Sequence, residues 1–141
     1  MPGFERAIRT ADIALAGRDV ERLVIPDLND PPLGVFELRP GGELRRWSVT
    51  NGVDAMIPGA STTIREARVR MRAGFFELVT RPEPTILAVI HGWFVGWILV
   101  SAGRESPPDM EFAVPYELTV GEAADVLRAT SEDVFARYEL P

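Results

Sequence analysis

The chain has 141 residues, enough for one domain with its own core, and its 46% apolar and 26% charged residues are a globular balance rather than a disordered one. Cysteine is absent, which excludes disulfides, thiolate metal sites, iron–sulfur clusters and cysteine nucleophiles together. Lysine is absent too, all fifteen basic residues being arginine, so a lysine Schiff base, a P-loop lysine and a Ser-Lys pair are excluded.

The net charge of −6 is uneven: from Glu105 onward there are nine acidic residues against two arginines. Such an acidic face repels nucleic acid and suits basic protein surfaces. The stretch Met1-Pro2-Gly3-Phe4-Glu5-Arg6 has no basic patch followed by an apolar run. That is not the pattern of a signal peptide, and the expected location is cytoplasmic.

In chain order, Phe4, Ile8, Ala11 and Leu15 recur at helical spacing and predict a helix over 4–16. Gly17 is placed to cap its C-terminus, and Asp19 to cap a short second helix over Val20 to Val24, ended by Pro26. Residues 26–32 are loop by composition. The runs 35–39 and 43–49 flank Pro40-Gly41-Gly42 and predict a β-hairpin, glycine supplying the backbone freedom of a tight turn.

Residues 61–80 carry two periods. Ile64, Arg68, Met71, Phe75 and Leu78 form a helical stripe, whereas Ala67, Val69, Met71 and Ala73 alternate with Arg68, Arg70 and Arg72 as in a half-buried strand. The expectation is helix in the first half and extended chain around 75–79, broken by Arg81-Pro82-Glu83-Pro84. Residues 85–102 then run for eighteen positions without a charge. Three forms fit: two buried strands turning at His91-Gly92, one buried helix, or a membrane span carrying Gly92-x-x-x-Gly96. The tryptophans in its middle argue against the span. Residues 103–116, with Pro107, Pro108 and Pro115, read as a linker. Thr119 with Glu122 forms a capping box for a helix from Val120 to Ala129, and Thr130 or Ser131 caps another over about 132–140.

The expected fold class is therefore α+β: N-terminal helices, a β-hairpin, a buried apolar strand pair or helix at 85–102, and a C-terminal two-helix segment. The expected division is a core domain at 1–102, a proline-rich linker at 103–116, and an acidic helical hairpin at 117–141.

Two stretches resemble known families. Leu118-Thr119-Val120-Gly121-Glu122-Ala123-Ala124-Asp125-Val126-Leu127, followed by residues 130–139, resembles the helix-turn-helix of MerR-like regulators and excisionases, which implies DNA binding. The second helix begins with Glu132 and Asp133, which would face a polyanion. Residues 14–23 with Val35-Phe36-Glu37-Leu38 resemble the opening of the NTF2-like (SnoaL-like) fold, which implies a small-molecule pocket.

No catalytic residue, cofactor or metal site is assigned from sequence. His91, the only histidine, reads as a hydrogen-bonded core residue. If its segment lined a pocket it would be the first base to test, being the one side chain with an ordinary pKa near neutrality. Asp27, Asp30, Asp109 and Glu111 read as solvated loop charge, with an acid–base pair or a hard-cation site as the other option. The function expected from sequence is a non-catalytic interaction, adaptor or assembly role with a protein partner or a second copy. Apolar surface at Trp93, Phe94 and Trp97 would supply affinity, and Arg65, Arg68, Arg70, Arg72, Glu132 and Asp133 would supply orientation.

Overall fold

A computed structural model describes residues 3–105, 111 and 113–131. Among these the regular structure is helical: α1 (Gly3–Ala14), α2 (Gly41–Asn51), α3 (Ile64–Val79), α4 (Gly92–Ser101) and α5 (Val120–Ala129), with short 3-10 turns at Pro26–Leu28 and Gly34–Phe36. The only strand-type pairing among them is a single antiparallel bridge between Met56 and Thr63. The α+β expectation is thereby corrected: the described residues contain no sheet and no hairpin.

The hairpin fails for a local reason. Pro40 sits at the N-cap of α2 with φ −54°, so Pro40-Gly41-Gly42 opens a helix rather than turning a strand. Arg39 pairs with Glu43 across that first turn at 3.2 Å, and the Glu-Leu-Arg-Arg run consists of good helix formers. Phe36 and Trp47, expected on opposite strands, meet instead with ring centroids 5.8 Å apart.

In α3 the helical stripe overrides the alternation. Thr63 and Glu66 form a capping box, the Glu66 N–H donating to Thr63 Oγ1 and the Thr63 N–H to Glu66 Oε2. This nucleates a helix that runs on through 75–79, where extended chain was expected. Its inner face is Ile64, Ala67, Arg68, Met71, Gly74 and Phe75. At Gly74 an added Cβ would lie 2.9 Å from Asp27 Cβ and 3.0 Å from Leu28, so glycine lets the Pro26–Leu28 turn sit directly on α3.

The uncharged stretch divides at His91-Gly92. Residues 85–90 have no regular secondary structure and 92–101 form α4, so neither a strand pair nor one helix spans 85–102. Among the described residues no helix is long and apolar enough to cross a membrane. Helix α4 is apolar on every side and is covered accordingly. Phe94, Trp97 and Ile98 join Leu28, Met71, Phe75 and Val126 in the core, with Phe94 edge-on to Phe75 and stacked on Trp97.

Helix α5 starts at the Thr119–Glu122 capping box read from sequence and packs on α3 and α4. The second C-terminal helix, with Glu132 and Asp133, lies outside the described residues. The short helix expected at 20–24 does not form: residues 18–25 have no regular secondary structure before the Pro26 turn.

Candidate active site

Three elements converge on His91. It is the N-cap residue of α4, held extended at φ −94° and ψ 148° at the end of the 85–90 stretch. The Pro26–Leu28 turn, seated on α3, presents Asn29 and Asp30 beside it. Helix α1 supplies Arg6 from 85 residues away in sequence.

The contacts are specific. Arg6 Nη2 donates to Asp30 Oδ2 at 3.0 Å and lies 3.1 Å from His91 Nδ1, with Arg6 Nε 3.4 Å from that nitrogen. His91 Nε2 lies 3.0 Å from Asn29 Oδ1, and Asp30 Oδ2 is 3.4 Å from His91 Nδ1. Because Asn29 Oδ1 can only accept, Nε2 carries the proton and Nδ1 presents its lone pair to the arginine. His91 is 6% exposed, whereas the Arg6 side chain is largely in solvent.

The electrostatics follow from burial. Desolvation pushes the His91 pKa below its ordinary value, with Arg6 adding to the effect and Asp30 opposing it. Desolvation pushes the Asp30 carboxyl up, aided by Glu37 and opposed by His91 and Arg6. Asp30 Oδ1 is buried without a hydrogen-bond partner. The site thus holds an imidazole nitrogen facing the arginine, a carboxyl whose pKa is raised by burial, and a solvent-exposed guanidinium. That is a nucleophile or base, an acid, and an anion clamp within one cluster. Among the described residues no three His, Asp or Glu side chains gather as a metal-binding group.

The residues singled out from sequence lie elsewhere. Phe94 and Trp97 are core residues at 1% and 7% exposure, and Trp93 packs partly buried against that core. Arg65 pairs with Asp54. Arg70 donates to the carbonyls of Pro26 and Asn29, which fastens the Asn29–Asp30 loop to α3. Arg72 donates to the Leu127 carbonyl and ties α5 to α3. Arg68 is buried, with Nε and Nη1 unpartnered and its pKa lowered by desolvation.

Sequence reasoning missed Arg6 and Asn29 outright and read Asp30 as solvated. The one usable signal was His91 itself, a lone titratable side chain inside a long uncharged run. Its partners could not be found by spacing, because they belong to other elements.

An arginine, a carboxylic acid and a histidine at a helix N-terminus define an enzyme site suited to an anionic substrate. The family model for the histidine phosphatase superfamily (branch 1) matches residues 3–119, and the chain belongs to that family. No curated protein and no solved structure shows significant similarity to it. Membership points to a phosphatase- or mutase-type catalytic function and an enzyme. It overturns the non-catalytic adaptor or assembly reading, and with it the regulator and NTF2-like alternatives. The family's fold is α/β, whereas the described residues of this chain form no sheet.

Proposed function

We propose that the chain acts on phosphate monoesters at the Arg6–Asn29–Asp30–His91 cluster. The observation that carries this reading is the meeting of the sole histidine with an arginine and an acid whose pKa is raised. Arg6, exposed and held only by side-chain contacts, swings its guanidinium from His91 and Asp30 onto the phosphate oxygens. This uncovers the Nδ1 lone pair. His91 Nδ1 attacks phosphorus, the P–O bond to the alcohol breaks, and the leaving oxygen takes the proton of Asp30. Asn29 keeps the ring oriented through Nε2. Water then attacks the phosphohistidine, giving its proton to the Asp30 carboxylate, and inorganic phosphate leaves. Where a second alcohol replaces water, the same steps make a mutase. The unbonded N–H groups at the first turn of α4 add positive potential beside the phosphoryl group.

Turnover of p-nitrophenyl phosphate tests the reading, with an alkaline denaturing quench to trap phosphoenzyme. The expected result is an acid-labile, alkali-stable label on His91, and its loss in His91→Asn together with turnover. Full turnover by His91→Asn would overturn it.

A further inference from the structure

Arg68 is the most deeply buried charged side chain among the described residues, at 2% exposure, and the phosphoryl-transfer chemistry does not use it. Its Nε and Nη1 are shut off from water and have no hydrogen-bond partner. One helical turn further along α3, Arg72 donates through Nη2 to the Leu127 carbonyl at the end of α5, yet its Nε is also buried and unpartnered. At i and i+4 the two side chains are neighbours on one face of the helix.

Nothing nearby neutralises them. Burial lowers the Arg68 pKa, repulsion from Arg65 adds to the effect, and no carboxylate opposes either. Arg65 itself is paired with Asp54. Arg70 is different again: it donates to the carbonyls of Pro26 and Asn29. At 3.6 residues per turn it lies about 200° round the helix from Arg68, so the unpartnered pair faces away from the catalytic loop. Folded proteins keep buried charges paired, because an uncompensated one is strongly destabilising.

We infer that Arg68 and Arg72 form a binding site for a small oxyanion of the phosphate or sulfate class, separate from the catalytic cluster and set between α3 and the C-terminal end of α5. Planar guanidinium forks match the geometry of such anions. A tetrahedral anion offers a different oxygen to each of the unpartnered N–H groups. Burial excludes larger ligands, since a side chain this enclosed is reached by an ion of a few atoms and not by a protein or a nucleic acid. The bound anion bridges Arg68 to Arg72, and through Arg72 it is joined to α5.

The test is thermal unfolding of the full chain in zwitterionic buffer titrated with sodium phosphate. The melting temperature should rise by about 5 °C or more and saturate below about 10 mM, as binding to the folded state alone requires. Sulfate should act alike, and chloride at equal concentration much less. Arg6→Ala, which removes the cation of the catalytic cluster, should keep the rise, and Arg68→Met should lose it. Without phosphate, Arg68→Met should melt above wild type, because an apolar side chain replaces an uncompensated charge. Arg68→Lys keeps the charge without the fork and should need about ten-fold more phosphate for the same rise. No saturable rise in wild type, a rise that survives in Arg68→Met, or an unchanged phosphate requirement in Arg68→Lys would overturn the inference. So would a rise lost in Arg6→Ala, which would assign the phosphate to the catalytic cluster, or an Arg68→Met that melts below wild type, which would show a partner for the guanidinium within the fold.

Discussion

The two halves of this molecule solve the same problem differently. Around α3, α4 and α5, apolar side chains meet apolar side chains: Phe94, Met71 and Val126 are at most 1% exposed, and the aromatic rings interlock. Around α1 and the irregular segments 18–25 and 85–90, residues of the same type stand open, Leu87 at 57% and Val24 at 53%. Hydrophobicity alone therefore does not assign a residue to a core; a facing element must exist to cover it. The site lies on the seam. His91 belongs to both halves, as the last residue of an open segment and the cap of the most buried helix.

The largest expected effects fall on that seam. His91→Asn should abolish turnover of p-nitrophenyl phosphate, since it removes the nucleophile, and Arg6→Ala should lower it about 100-fold or more, as loss of one charge-stabilising group does. Both leave the α3–α4–α5 core untouched, so urea midpoints should move little. Unfolding of His91→Asn together with loss of turnover would place His91 in the structural half instead.

Within the packed half, Phe94→Ala should cost about 3–5 kcal/mol in urea unfolding. In the open half, Leu87→Ala should cost under about 0.5 kcal/mol. Equal costs would erase the contrast between the regions. Gly34→Ala sharpens it at the loop before α2. Its Cβ would lie 2.1 Å from the Pro58 carbonyl at a backbone φ of +55°, so the contact between 34–35 and 57–60 should open, read as faster amide exchange at Val35, which now bonds Pro58. Thr63→Ala and Thr119→Ala remove the helix caps and should each cost about 1 kcal/mol.

The smallest effect is in pH. The folded His91 pKa lies below its unfolded value. Its contribution to stability is therefore present above about pH 6.5 and lost as pH falls through the folded value. Asp30 has the opposite sign: its contribution is complete below its unfolded pKa near 3.8 and lost as pH rises through the raised folded value. Asp30→Asn should accordingly remove that loss and flatten the stability profile on its acid side. Urea midpoints from pH 4 to 8 check both signs, and an unchanged profile in Asp30→Asn would contradict the placement of that carboxyl.

Much of the local structure was legible. The capping box at Thr119–Glu122 and the helix at the N-terminus follow from patterns of three and four residues, because caps and amphipathic stripes are local interactions. The errors were also local ambiguities settled elsewhere. Pro40-Gly41-Gly42 serves a hairpin or a helix start equally well until Phe36 finds Trp47. The 67–73 alternation is overruled by the core that Met71 and Phe75 must enter.

By itself the sequence determined what chemistry was impossible, with no cysteine or lysine to perform it, and marked 85–102 as the stretch on which packing depends. It also presented His91 as the single group titrating near neutrality. Only the tertiary structure decided that this histidine meets Arg6, Asn29 and Asp30, and that half of the apolar run is buried while the rest stands open. The physical reason is range. Caps, turns and periodicity act over a few residues, whereas desolvation and charge pairing depend on which distant segments the chain brings to one point.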